Sequence, residues 1–153
     1  MKTRTLPRRS RERSAARLAA VQALYQRAME GTPLPRLIDE FHQHRLGQEL
    51  EGDEYADADV AFFDDVVRGV DARGEEIDRL LSAKLAQGWS LPRLDRTMAQ
   101  ILRAGVYELL ARADIPRAAV ISEYVDVAKA FFDDGQAKFV NGVLDAVAGE
   151  VRG

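Results

Sequence analysis

Apolar residues recur every three or four positions along almost the whole chain, and no stretch alternates apolar and polar with a period of two. Leu18, Val21, Leu24, Tyr25 and Ala28 form the first stripe, and Gly31 closes it. The spacing predicts a helix that Ser10 or Ser14 caps and that runs to Glu30. Pro33 and Pro35 start a shorter one with Leu37, Ile38 and Phe41, ended by Gly47. Val60, Phe63, Val66, Val67 and Val70 mark a third, capped by Asp57 or Asp59 and stopping near Gly74. Glu75 and Glu76 open a fourth, with Ile77, Leu80, Leu81 and Leu85; acids there face the positive end of the helix dipole.

Gly88, Ser90 and Pro92 in "QGWSLPRLD" interrupt the rhythm and mark the clearest internal boundary. A helix over 94–113 follows, with Met98, Ile101, Leu102, Val106, Leu109 and Leu110, and then one over 118–132, with Ile121, Val125, Ala128 and Phe132. The last stretch, "KFVNGVLDAV", is in conflict with itself. Asn-Gly between apolar residues signals a tight hairpin, yet Phe139, Val140, Val143, Leu144 and Val147 keep helical spacing. A lone hairpin would have no sheet to join, so the helix is preferred. Asn141 and Gly142 then fall opposite its apolar face or at its edge, where glycine lets a second helix or a ligand come close. The expectation is an all-α chain of about seven helices in two small packed bundles. A flexible Arg-rich arm over 1–9 precedes a single domain over 10–153, whose halves meet between 88 and 89.

Charge adds to this picture. Residues 1–17 carry Lys2, Arg4, Arg8, Arg9, Arg11, Arg13 and Arg17 against Glu12 alone, a net of +6; the total is −3, which leaves −9 on the remainder. A basic arm on an acidic body points to nucleic acid. A transit peptide is the alternative for so Arg-rich a start, but the basic run continues into a strong helix. Residues 48–59, "QELEGDEYADAD", hold six acids and no base and suit a solvated connection. No apolar run approaches the roughly 20 residues that span a bilayer. With no cysteine, disulfides, thiolate catalysis and cysteine-held zinc are excluded, and the composition suits a reducing cytoplasm.

Catalytic chemistry is hard to place. His42 and His44 are two apart, on different helix faces, and are expected as surface residues rather than metal ligands. Asp64-Asp65 and Asp133-Asp134 are adjacent pairs that diverge on a helix. No phosphate loop or nucleophile elbow is present. The chain is therefore expected to be no enzyme and to need no metal or cofactor.

A binding surface remains. Arg13 and Arg17 are four apart and share a helix face, with Arg8 and Arg9 upstream; each guanidinium can grip a phosphate with a bidentate fork. Reading unpaired RNA also needs rings and amides. Gln22 and Tyr25 follow along the first helix, and Lys138, Phe139 and Asn141 offer a cation, a stacking ring and an amide. The plainer alternatives are core packing for Tyr25 and Phe139 and a solvated tail for the arginines.

Four stretches, "RLAAVQALYQ" (17–26), "ILRAGVYELL" (101–110), "VISEYVDVAKAF" (120–131) and "KFVNGVLDAV" (138–147), together resemble the NusB family, which covers both halves of the chain. The resemblance implies two small helical bundles and binding to the boxA element of nascent ribosomal RNA. It implies pairing with NusE, a small-subunit ribosomal protein, inside an RNA polymerase antitermination complex in the cytoplasm. It carries RNA contacts to Arg8, Arg9, Arg13 and Arg17 for phosphates, and to Tyr25, Lys138, Phe139 and Asn141 for bases and backbone, beside the Gln22 read from the first helix itself. It places the partner surface near "LDRTMAQ", with Asp95 and Met98. The long arm, the acidic connection and "DDGQA" before Lys138 depart from the family pattern, which puts the cap of the last helix in question. Two other readings stand beside it. One is a domain of the kind fused to RNA cytosine methyltransferases, against which the lack of cysteine counts. The other is a helical adaptor without specific RNA binding. Apolar helix faces leave a homodimer open.

Overall fold

The computed structural model describes residues 8–44, 46, 58–86 and 88–152. Among them stand seven α-helices, a single 3-10 turn (Leu91–Arg93) and no strand: α1 (Arg8–Glu30), α2 (Leu34–His44), α3 (Val60–Ala72), α4 (Gly74–Lys84), α5 (Arg96–Ala111), α6 (Arg117–Phe131) and α7 (Asp134–Val151). The expected all-α class holds. The chain divides by packing into two compact units, Met1–Asp65 and Val66–Gly153, a division that falls inside α3. Residues 1–7, Gly47 and the acidic connection up to Asp57 lie outside the described residues.

In the first unit, α1 starts earlier than expected and runs through Ser10 and Ser14, so neither serine caps it. Its packed face is also rotated. Ala16, Ala19, Ala20, Val21, Ala23 and Leu24 are buried, while Leu18 is half-exposed and Tyr25 and Ala28 are exposed. Small side chains let α2 approach α1 closely, and Leu37, Ile38 and Phe41 of α2 fill the space. Gly31, at φ +70, ends α1 and donates its N–H to the Arg27 carbonyl at 2.8 Å; only glycine takes that conformation cheaply. Asp59 caps α3, its Oδ1 accepting from the Phe62 N–H at 2.9 Å. Phe63 stacks on Phe41 at 5.5 Å between ring centroids. His42 is not a free surface residue: its Nε2 lies 2.6 Å from Asp64 Oδ1.

In the second unit, Gly74 opens α4 instead of ending α3, and Arg73 alone separates the two helices. α5 is buried from Met98 through Leu102 and from Ala104 through Leu109, and it touches α4, α6 and α7. A helix apolar nearly all round belongs in the middle of a bundle. It begins at Arg96, two residues later than the periodicity suggests, because Asp95 is its cap and accepts from the Thr97 and Met98 N–H groups. In α6 the buried set is Val120, Ile121, Tyr124, Val127 and Ala128, so Val125 and Phe132 fall at the margin. "KFVNGVLDAV" is helix, capped by Asp133, whose Oδ1 accepts from the Gln136 N–H at 3.0 Å. "DDGQA" thus carries its own cap.

Candidate nucleic-acid interface

In the first unit, Arg9, Arg13 and Arg17 follow one another four residues apart on α1, but their surroundings differ steeply. Arg9 and Arg11 are exposed. Arg8 belongs to the first turn of α1, and its side chain lies outside the described set. Arg13 keeps 17% of its side-chain exposure and stands 3.7 Å from Asp59, with its guanidinium 4.9 Å from the centre of the Phe62 ring. Arg17 is only 4% exposed and stacks on the same ring at 4.8 Å. Burial this deep leaves the Arg17 guanidinium little surface to offer the phosphate expected there. Its cation is held against Phe62, where stacking offsets part of its lost hydration. Sequence spacing placed these arginines on one face correctly and could not show that the face turns inward along the helix. Farther along α1, Gln22 is half-buried and Tyr25 is 38% exposed, so the ring is not a core residue.

In the second unit, Lys138 and Asn141 are exposed, and Phe139 is half-exposed. Adjacent residues point about 100° apart on a helix, and they line two different furrows. Lys138 and Asn141 face α6, in a furrow with Val125, Lys129, Asp134 and Ala137. Phe139 faces the start of α5, in a groove of about 430 Å³ with Trp89, Arg93, Leu94, Asp95 and Met98. The ring expected to touch RNA and the two residues expected to touch a partner therefore share one groove. Asp95 lines it while capping α5, and Met98, 3% exposed, forms part of its floor.

Trp89 is the residue that sequence reading missed. It is 55% exposed at the rim of this groove, the largest apolar side chain held out to solvent among the described residues. Gly88 precedes it at φ +91, and Arg93 Nη1 donates to the Gly88 carbonyl at 2.9 Å, which fixes the turn. A tryptophan inside a Gly/Ser/Pro break was the available signal, since a break needs no large ring. Gly142 stands bare: a β-carbon built there would meet nothing within 4 Å. Close packing within the described chain is therefore not what this glycine serves. Among the described residues no helix is long and apolar enough to cross a membrane, and no cluster of three His, Asp or Glu could hold a metal.

Residues 14–149 match the model of the NusB family. The chain is 74% identical over 140 residues to the transcription antitermination protein NusB of Novosphingobium aromaticivorans, spanning 92% of this chain and 95% of that one. It is 65% identical over 145 residues to the protein of the same name from Sphingopyxis alaskensis, spanning 95% and 97%. Its fold is similar to that of T. maritima NusB, with TM-score 0.73 at 32% identity over 98% of this chain and 94% of that one. It is also similar to a chain in the crystal structure of antitermination factors NusB and NusE in complex with dsRNA, with TM-score 0.74 at 27% identity, over 90% and 96%.

Proposed function

The chain belongs to the NusB family, and from that we propose that it is a transcription antitermination factor that binds RNA and catalyses no reaction. The RNA is a boxA-type single strand of a nascent ribosomal RNA transcript. NusE is the protein partner, and the pair acts within an RNA polymerase antitermination complex in the cytoplasm.

The start of α7 carries this reading. Lys138 and Asn141 stand in solvent on one side of the helix, and Phe139 borders an open groove on the other. A cation, an amide and a ring within one turn supply the contacts that an unstacked base and its phosphate require. Arg9 and Arg11 add sequence-independent charge at the start of α1. The groove with Trp89, Leu94 and Phe139 suits a protein surface, because exposed aromatic rings beside charged residues are what interface centres use.

A titration of boxA RNA and a scrambled RNA, each with and without NusE, tests the proposal. Binding is expected to favour boxA and to strengthen when NusE is added. Phe139→Asp should weaken boxA binding by about tenfold, the loss of one stacked base, and scrambled RNA less. Capture of NusE with no RNA retained at low salt would favour the adaptor reading instead.

A further inference from the structure

Among the arginines on the inner face of α1, Arg13 is the one whose pairing is incomplete. Its Nε is buried and has no hydrogen-bond partner. Asp59 Oδ2 is 3.7 Å away, beyond hydrogen-bonding distance. The other carboxylate oxygen is engaged in capping α3 through the Phe62 N–H. The Asp59 backbone N–H is fixed as well, donating to the Glu12 carbonyl of α1 at 3.0 Å. Asp59 is thus anchored at two points and cannot close the gap to Arg13 without giving up its cap. Both side chains remain partly open to solvent, at 17% for Arg13 and 25% for Asp59.

We infer that Asp59 is an affinity-setting residue for RNA: it acts through Arg13, as a built-in carboxylate that competes with an incoming phosphate oxygen for that guanidinium. With Nε buried, a phosphate would take Arg13 end-on through its two Nη groups, a bidentate geometry Asp59 does not reach, and charge-assisted bonds of that kind are the strong ones. Asp59 needs no contact with RNA to do this. Its charge offsets one arginine beside the exposed Arg9 and Arg11, and so holds back sequence-independent binding. The inference rests on the RNA-binding reading for its biological meaning, while the competition itself concerns any polyanion.

Asp59→Asn tests it. Asparagine caps a helix as well as aspartate does and leaves the backbone bond to Glu12 in place. Asp59→Ser, another good cap, serves as the second variant, and helical circular dichroism with the melting midpoint verifies the fold of each. The variant is expected to bind scrambled single-stranded RNA about threefold more tightly at low salt, the worth of one exposed ion pair removed. Its salt slope should steepen by about 0.7, one more phosphate contact. It should also elute later from heparin. In Arg13→Gln/Asp59→Asn the gain should vanish relative to Arg13→Gln alone.

An unchanged affinity and slope in a folded Asp59→Asn protein would overturn the inference. So would a gain that survives in the double variant, since that gain would come from net charge and not from Arg13. The heparin arm separates this from the functional reading. If boxA RNA failed to bind while the heparin shift depended on Arg13, the competition would stand and the RNA assignment would fall.

Discussion

Gly69 sits where a β-carbon would lie 2.1 Å from Cε1 of Tyr107, inside the ring's own volume. Tyr107 is 6% exposed and held in the buried middle of α5, so the ring has nowhere to retreat. Gly142 is the opposite case, helical and with open space around it. Alanine at the two positions should therefore act with opposite sign. Gly69→Ala is expected to destabilise the protein by about 1–3 kcal/mol or more through overpacking. Gly142→Ala should stabilise it by roughly 0.5–1 kcal/mol, because alanine loses less backbone entropy in a helix. Urea unfolding of both measures this, and equal signs would refute it. If RNA or NusE approaches the α7 backbone at Gly142, the same Gly142→Ala change should weaken that binding while the fold gains stability. Trading stability for access would then account for an Asn-Gly pair in the middle of a helix.

The α-helices were legible in the sequence because each carries several turns of period, and the period does not depend on which residues are large. The faces were less legible. A count of apolar residues weights Leu18 and Tyr25, but α1 packs through alanines that let α2 come near, and Val125 and Phe132 give way to Val120, Tyr124 and Val127 in α6. Local caps were legible in part: Asp59 caps α3 as expected, Ser10 and Ser14 do not cap α1, and Asp95 and Asp133 cap α5 and α7 without having been read as caps; a cap that comes from far along the chain was not legible at all. Arg152 is such a case. Its guanidinium gathers the carbonyls at the end of α5 and just beyond, donating from Nε to Leu109 at 3.0 Å, from Nη1 to Ile115 at 2.6 Å, and from Nη2 to Arg112 at 2.7 Å and Glu108 at 3.2 Å. The Leu109 carbonyl lies in the last turn, where a helix runs out of its own donors, while Glu108 and Arg112 also accept the backbone N–H groups of Arg112 and Ile115; a cation there also meets the negative end of the dipole. Arg152→Ala should lower stability by about 2–3 kcal/mol, the range for a hydrogen-bonded charged group, measured as a shift in denaturant midpoint. Arg152→Lys should recover only part of it, since an ammonium cannot hold the same planar fork. Full recovery by lysine would mean that charge alone matters at this cap.

At the scale of the whole molecule, charge is more finely divided than the sequence count suggests. The first 17 residues carry +6 and the rest −9, yet the cations of that segment are not equivalent. Arg17 is buried on Phe62, Arg13 stands against Asp59, and Arg9 and Arg11 face solvent. A count of arginines does not separate them; among the described side chains of this segment, Arg9 and Arg11 stand as exposed charge. Only a released counterion registers in the salt dependence of binding, so the two classes can be told apart by slope rather than by affinity. Arg9→Gln/Arg11→Gln is expected to flatten the dependence of log K on log salt by about 1.4, at roughly 0.7 per phosphate on a single strand, and to weaken boxA and scrambled RNA alike. Arg17→Gln should leave the slope unchanged and lower the melting temperature instead, because it removes a stacked cation from the junction of α1 with Phe62. If Arg17→Gln flattened the slope as an exposed arginine does, its side chain would have to leave the Phe62 ring when RNA binds, and the first unit would rearrange on binding rather than present a ready-made surface.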